Sequence, residues 1–487
     1  MLVIGLDVGT TGTKALAVDE NGFVHASAYR GYELKHSGVP GSVSQNADDW
    51  WNAVVCTVKN VAEKVAPRKI EAIGLSTQGA TMLAADAEGN ALCDAITWMD
   101  SRAEAECAYL DGAIGTETVY EKCGWPLTSA GDAAKILWLK NNMPEVFKGA
   151  ACFPSTIEFI NKKLTGRFVT DPTNAAIRQL FNIKDAKWDE EILSAIGITD
   201  SRLPEVVSTG AEVGTLTDTA AKALGLDSSV KVFCGAHDQY CASLGSGAVE
   251  AGDMMLATGT AWVILGITDK LLYTKNHICP GIHPAEDRYG AMASLVSAGS
   301  AMNWFRNALD ENESYKEIDS KIDPIIKRAK DVLALPYVAG AGFPHSRPDA
   351  SCSIHGIRSH TDKYDVACAI MEGVAFEART VIEGFAENGI KIDRLLMTGG
   401  AARSDLWSRI VRDVTGCRVK RPKEPETCCI GAASIALVSL GVYKDYAECS
   451  GAIASSVPIG DPDDDFVSYY NGKYERYCDL RKKIFEA

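Results

Sequence analysis

The chain begins with an apolar run over residues 2–8, broken only by Gly5 and by Asp7 near its end, and after a Gly/Thr turn apolar residues dominate again from Ala15 to Val18. Short apolar runs bounded by turn residues predict strands. Asn21-Gly22 is a two-residue turn signal leading into a third strand over 23–28. Further strands are predicted at 70–76, 231–234 and 394–398, with a strand-turn-strand passage over 254–267. Helical periods lie between them, at 132–142, over a long stretch at 365–385, and from near Ser404 onward. This alternation in both halves predicts an α/β fold whose sheets are covered by helices.

With 487 residues the chain is long enough for two or three domains, each with its own core. No short repeat is visible, but Asp7-Val8-Gly9-Thr10-Thr11 has a loose echo in Leu256-Ala257-Thr258-Gly259-Thr260-Ala261, each following a strand. Two such turns on comparable β units suggest domains over 1–245 and 246–487, meeting at Gly245-Ser246-Gly247 and flanking an interdomain cleft. At 46% hydrophobic and 23% charged, the composition is that of a soluble globular protein. The net charge of −15 excludes nucleic acid as the main partner, because backbone binding needs basic surface. The fifteen cysteines show no Cys-x-x-Cys spacing, which favours free thiols in a reducing compartment. No run reaches the roughly 18 apolar residues of a membrane span, so a cytoplasmic location without a membrane partner is expected.

Candidate chemistry sits at strand ends. Gly9 and Gly12 allow close backbone approach, so amides can converge on an anion, while Thr10, Thr11 and Thr13 add hydroxyls and Lys14 a positive charge. Asp7 would repel phosphate alone but becomes useful with a Mg²⁺ between them. The glycines are too close together for a Walker loop, and a strand follows instead of a helix. An ordinary hairpin turn is the bland alternative. Asp238, after the 231–234 run, is a candidate base for deprotonating an alcohol, or else only a helix N-cap. Its neighbour His237 reads as structural. The small-residue turn Gly399-Gly400-Ala401 would let a base or ribose pack on backbone, and Gly299 with Asn303 four residues on suits a purine edge.

These elements, in this order and along essentially the whole chain, resemble the FGGY family of carbohydrate kinases. Two further segments carry the resemblance: Lys135-Ile136-Leu137-Trp138-Leu139-Lys140-Asn141, and Gly356-Ile357 followed after seven residues by Asp365-Val366-Ala367-Cys368-Ala369-Ile370-Met371-Glu372-Gly373. The resemblance implies two actin-like, ribonuclease H-like ATPase domains around a cleft, with ATP and Mg²⁺ as cofactors. It assigns Asp7 to the metal and phosphate site, Gly9, Thr10, Thr11, Gly12, Thr13 and Lys14 to a first phosphate loop, and Thr258, Gly259 and Thr260 to a second. Gly299, Asn303, Gly399, Gly400 and Ala401 match nucleotide-contacting positions, and Asp238 falls on the catalytic base.

The sugar-facing segments by the same resemblance are Gly74–Thr81, with Gln78, and the Trp98-Met99-Asp100-Ser101-Arg102 run. Trp98 offers an apolar plate, and Gln78 and Asp100 hydrogen-bonding groups; a core aromatic and an Asp100–Arg102 ion pair are the alternatives. The run is most similar to xylulose kinases, implying a ketopentose such as D-xylulose, with glycerol, erythritol, L-xylulose or ribulose as alternatives. It departs from that pattern at Gly79-Ala80, where xylulose kinases carry Met-His, and at Gly340-Ala341-Gly342-Phe343-Pro344, where many relatives carry Gly-Glu-Arg-x-Pro. A nucleotide-switched ATPase without a sugar is the reading from another class. A homodimer is open by analogy with relatives.

Overall fold

The computed structural model describes residues 1–309, 312–327 and 330–486. The chain packs as two compact units. One comprises Met1–Val249, Cys279–Gly290 and Glu426–Ser455, the other Glu250–Ile278, Ala291–Pro425 and Ser456–Ala487.

The strands that position the site are, in chain order, β1 (Leu2–Val8), β2 (Gly12–Asp19), β3 (Val24–Gly31), β4 (Ile70–Thr77), β5 (Glu212–Thr215), β6 (Lys231–His237), β7 (Asp253–Thr258), β8 (Trp262–Thr268), β9 (Tyr289–Leu295), β10 (Arg394–Gly399), β11 (Arg418–Pro422) and β12 (Ser456–Pro458). The helices are α1 (Ala47–Val65), α2 (Asp132–Asn142), α3 (Asp238–Ser246), α4 (Gly299–Leu309), α5 (Lys363–Glu387), α6 (Asp405–Thr415), α7 (Thr427–Ser439) and α8 (Asp464–Glu486). In the first unit the sheet order is β5-β6-β4-β1-β2-β3. In the second it includes β9-β8-β7-β10-β11-β12. The two orders correspond strand for strand: an antiparallel hairpin, β1-β2 or β7-β8, is followed on one side by two parallel strands and an antiparallel edge. The sequence echo between the two Gly/Thr turns is thus an echo of topology, since each turn closes its unit's hairpin.

Strand register brings the candidate residues of the first unit together. Asp7 pairs with Ser76 and Val8 with Thr77 across β1 and β4, while Thr77 pairs with His237 across β4 and β6. Three parallel strands therefore end side by side, the place where open α/β sheets bind ligands. One face of the sheet packs on α1, whose Trp50, Val54, Val58 and Val61 join Leu2, Ile4 and Leu6 in a buried cluster. Asn46 caps that helix by accepting the Asp48 N–H, and Lys64 complements the dipole at its end.

The other face packs on α7, which is apolar nearly all round, as a fully buried helix must be. Its approach is backbone to backbone. A Cβ on Gly5 of β1 would lie 1.9 Å from the Cys429 carbonyl oxygen, one on Gly74 of β4 1.9 Å from that of Ala432, and one on Gly245 of α3 2.0 Å from that of Thr427. From the helix side, a Cβ on Gly431 would meet the Cys241 oxygen at 1.9 Å. The second unit is centred on α5, where Phe376 and Phe385 are buried and a buried Glu372–Lys473 pair at 2.6 Å ties the helix to α8.

The expected α/β fold is found, and 132–142, 254–267 and 365–385 form the predicted elements. The third strand starts one residue later than expected and runs on to Gly31. The 231–234 run continues to His237, because β6 stays paired with β4 as far as Thr77. No helix among the described residues is long and apolar enough to cross a membrane.

Gly74→Ala should destabilise the protein by about 3 kcal/mol, the upper range for overpacking a rigid backbone contact. On the exposed face of α8, where a Cβ at Gly472 meets nothing within 4 Å, Gly472→Ala should stabilise by up to about 1 kcal/mol. Urea midpoints of the two variants and the parent check both signs.

Candidate functional site

Asp7 stands near the end of β1. Its Oδ1 accepts a hydrogen bond from Ser76 Oγ at 2.7 Å, while Oδ2 faces the following loop, 3.8 Å from where a Cβ on Gly9 would sit. Burial, then the nearby Asp238 charge, push its carboxyl up to about 7, against the opposing effects of Ser76 and Lys14. Lys14 lies directly opposite Asp7 in the β1-β2 register, and its Nζ is held 2.5 Å from the Glu426 carboxylate at the start of α7. Asp238 is the first residue of α3. The N-cap position belongs to His237, so the carboxylate is not spent on capping. Its Oδ1 accepts from Gln239 Nε2 at 3.1 Å and lies 3.3 Å from His237 Nε2; Oδ2 has no partner among the described residues.

The Gly9–Thr13 loop is held by its carbonyls. That of Gly9 accepts from the Tyr32 hydroxyl at 2.5 Å, that of Thr10 from Gln45 Nε2 at 2.6 Å, and that of Thr11 from the Tyr29 hydroxyl at 3.1 Å. In a planar trans peptide the N–H points opposite the carbonyl. Pinning the Gly9 and Thr10 carbonyls therefore aims the Thr10 and Thr11 amides the other way, and neither has an acceptor among the described residues. A Cβ on Gly12 would fall 2.5 Å from the Tyr29 ring, displacing the side chain that holds the Thr11 carbonyl, and Thr13 is buried within β2.

Trp98 is 47% exposed, so it is not a core aromatic, and its Nε1 donates to Thr10 Oγ1 at 3.0 Å. Gln78 is buried, its Nε2 donating to Gln45 Oε1 at 2.9 Å. Asp100 is buried in a two-pronged pair with Arg102, and its Oδ2 also accepts the Val43 N–H at 2.6 Å. At the departure from the xylulose kinase pattern, a Cβ on Gly79 would lie 2.4 Å from the His237 ring. Ala80 sits at φ +46°, and its carbonyl accepts from Lys135 Nζ at 2.6 Å. Burial pushes that lysine down to about 8.

In the second unit, Thr258 stitches two strand ends together. Its Oγ1 donates to the Thr398 carbonyl at 2.6 Å and accepts the Ala402 N–H at 3.2 Å, while its own carbonyl accepts from Gly400 N at 2.9 Å. Gly399 occupies the left-handed region at φ +90°. The start of α4 is laid on the loop: a Cβ on Gly299 would be 2.2 Å from the Gly259 oxygen, and Ser300 N donates to the Thr260 carbonyl at 2.9 Å. Thr258, Gly259, Thr260, Gly299, Asn303, Gly400 and Ala401 all line one cavity of about 860 Å³, a volume suited to a nucleotide, with Gly399 just outside its lining. Asn303 Oδ1 accepts from the Tyr315 hydroxyl.

No cluster of three or more His, Cys, Asp or Glu among the described residues could cage a metal. Mg²⁺ does not need one, since it keeps several waters and takes one or two carboxylates together with substrate phosphate. Asp7, with one oxygen held by Ser76 and the other facing the loop, fits that role. Gln45, Tyr29, Tyr32 and Glu426 carry no local sequence signal because each acts through contacts made by the fold, and His237, read from the sequence as structural, stands against Asp238. Lys135 lay inside a recognised helical signature, and only its burial beside Ala80 reveals its contact.

The FGGY family of carbohydrate kinases, N-terminal domain, matches residues 2–245, and the family's C-terminal domain matches residues 254–440. A xylulose kinase from Staphylococcus epidermidis is 27% identical over 491 residues, covering 99% of this chain and 97% of its own. A glycerol kinase from Thermococcus kodakarensis is 30% identical over 456 residues, covering 92% of this chain and 90% of its own. The crystal structure of gluconate kinase from Lactobacillus acidophilus superposes with a TM-score of 0.93 at 26% identity, covering 99% of this chain and 98% of that one. The chain belongs to the FGGY family and is a carbohydrate kinase.

Because the Asp7 carboxyl is raised from 3.8 to about 7, the folded state holds that proton more tightly than the unfolded chain. Its contribution to stability is full at pH values below 3.8 and is lost as pH rises through 7. Asp7→Asn, which keeps an acceptor for Ser76, should therefore raise the thermal midpoint clearly at pH 8 and little at pH 4, while abolishing phosphoryl transfer. An equal rise at both pH values would contradict the assignment.

Proposed function

We propose that this kinase transfers the γ-phosphoryl group of ATP to a primary hydroxyl of a ketopentose such as D-xylulose, with Asp238 as the base. The observation that carries this reading is the in-register ending of β1, β4 and β6, which gathers Asp7, Gln78 and Asp238 at neighbouring strand ends. The adenosine is assigned to the cavity of the second unit, and the phosphate loop, metal carboxylate and base to the first.

Asp238 Oδ2 is the oxygen left free to take a proton, Oδ1 being held by Gln239 and flanked by His237. As the acceptor hydroxyl loses its proton to Oδ2, its oxygen bonds to the γ-phosphorus and the bond to the β–γ bridging oxygen breaks, giving sugar phosphate and ADP. Amides and hydroxyls of the Gly/Thr loop stabilise the charge on the transferred phosphoryl oxygens. A Mg²⁺ held by Asp7 would neutralise phosphate charge. The half-exposed Trp98 supplies an apolar plate for a carbon face.

D-xylulose is supported by the xylulose kinase similarity along the full chain. A second reading, another small polyol or ketose, is favoured by position 79, where this chain departs from the xylulose kinase pattern and a Cβ would meet the His237 ring at 2.4 Å.

A panel of pentuloses, hexuloses, tetritols, glycerol and gluconate, read by ADP release, tests the proposal. D-xylulose should stimulate most. A stronger response to another member would replace the sugar, and no response to any would remove the acceptor assignment. Asp238→Asn should lower kcat by about a thousandfold, within the range expected for losing a general base, while calorimetry shows ATP affinity unchanged. Comparable loss of ATP affinity would make Asp238 a nucleotide or metal ligand instead.

A further inference from the structure

Thr10 is gripped from two directions, by Trp98 of one acceptor-side segment and by Gln45, which bonds Gln78 of the other. Its carbonyl accepts from Gln45 Nε2 at 2.6 Å, and its hydroxyl from Trp98 Nε1 at 3.0 Å. The Gln45 orientation is determined by its surroundings. Its Oε1 faces two donors, Gln78 Nε2 at 2.9 Å and the buried Trp50 Nε1 at 3.2 Å, so the amide nitrogen must be the atom facing the Thr10 oxygen. Gln45 and Gln78 are each 1% exposed, which leaves no water to substitute for these bonds.

Each grip has a directional consequence. Drawing the Thr10 carbonyl toward Gln45 turns the Thr11 amide to the opposite side of the same peptide plane. The indole N–H is a donor only, so it occupies a lone pair of the Thr10 hydroxyl and leaves that hydroxyl's proton for another acceptor. Both effects increase the donor character of the loop toward an anion. Tyr29 and Tyr32 hold the neighbouring carbonyls, but only Gln45 and Trp98 also reach the Gln78 and Trp98–Asp100 segments.

We propose that Gln45 and Trp98 are positioning residues that set the first phosphate loop from the acceptor side, so that the donor polarity of Thr10 and Thr11 depends on residues lining the acceptor site. This rests on assigning the loop to phosphate and Gln78 and Trp98 to the acceptor. The resulting coupling is reciprocal: whatever orders Trp98 and Gln78 strengthens phosphate binding, and phosphate binding orders them.

Two variants separate the idea from a general structural role. Trp98→Phe keeps an aromatic ring, though a smaller one, at an exposed position and removes the N–H. Gln45→Glu keeps the acceptor for Gln78 and Trp50 and removes the donor to Thr10. Calorimetry with MgATP and with adenosine, on the full chain without any acceptor, reads the effect. Each variant should weaken MgATP binding by about tenfold, the size of one lost hydrogen bond to a charged-site loop, and leave adenosine affinity unchanged. Equal loss for both ligands, or unchanged MgATP affinity in Trp98→Phe, overturns the proposal, even where Gln45→Glu fails to fold. If the parent binds adenosine but gains nothing from the phosphates, the assignment of the loop to phosphate fails first, and that outcome is recognisable from the parent alone.

Discussion

The first unit's site depends on one packing constraint, the backbone contact between α7 and the strands β1 and β4. Helices normally stand off a sheet by the thickness of their side chains; here Gly5 and Gly74 remove that thickness on the strands, and Gly245 and Gly431 do the same where α7 crosses α3. The gain is position. A helix that touches the sheet backbone cannot slide, so its first turn is fixed against the strand ends. Glu426 then meets Lys14, and Cys428 Sγ approaches the Asp238 carbonyl at 3.5 Å. Segment Glu426–Ser455 is far from β1 in sequence, yet it acts as a wall of the same unit.

On that frame the electrostatics are arranged against stability. Two carboxylates, Asp7 and Asp238, sit close enough for the second to raise the first, and burial adds to the effect. Lys14, the obvious counter-charge, is shared with Glu426. In a chain with a net charge of −15, two carboxylates thus gather where the proposed function places an anionic substrate. On that proposal a cation would complete the site, and local donors would do what the overall field opposes. The loop supplies them by rigidity. Its carbonyls are pinned by Tyr32, Gln45 and Tyr29, so its amides need no reorganisation to face an anion. The opposite wall is equally fixed: Arg178, fully buried, bonds Asp132 at 2.6 Å and the Phe153 carbonyl at 2.6 Å, anchoring the start of α2, from which Lys135 holds Ala80.

Much of this was legible in the sequence, and the division is physical. Periodicity and turn residues identify local elements, so the two hairpins with their Gly/Thr turns, the 132–142 helix and the long 365–385 helix could be read directly. Glycines next to strand ends also announced themselves, because only unusual backbone geometry or close approach calls for them at Gly12, Gly299 and Gly399. What stayed hidden were contacts between segments distant in sequence that leave no local pattern. Gln45 lies 35 residues from Thr10 and 33 from Gln78, and nothing in Ser44-Gln45-Asn46 signals either bond. Gly5 and Gly74 read as ordinary small residues inside strands, although they are what admits α7. Asp100 read equally well as a sugar ligand or an ion-pair member, and its bonds to Arg102 now account for both of its oxygens.

Position 79 shows why a departure from a family pattern should be read in three dimensions. In the sequence, Gly79-Ala80 is a departure to two small residues from the Met-His that xylulose kinases carry. In the structure the space beside Gly79 is not empty, because the His237 ring occupies it, 2.4 Å from any Cβ that might be added. The imidazole also stands 3.3 Å from Asp238 Oδ1. Gly79 and His237 therefore form a single steric unit: any larger side chain at 79 requires His237 to move, and moving it disturbs the flank of Asp238. The change at 79 cannot be reversed independently of 237. On the proposed assignment of Asp238 as the base, acceptor preference is bound to the setting of that residue, so positions 79 and 237 bear on the sugar more directly than similarity elsewhere along the chain to xylulose, gluconate and glycerol kinases.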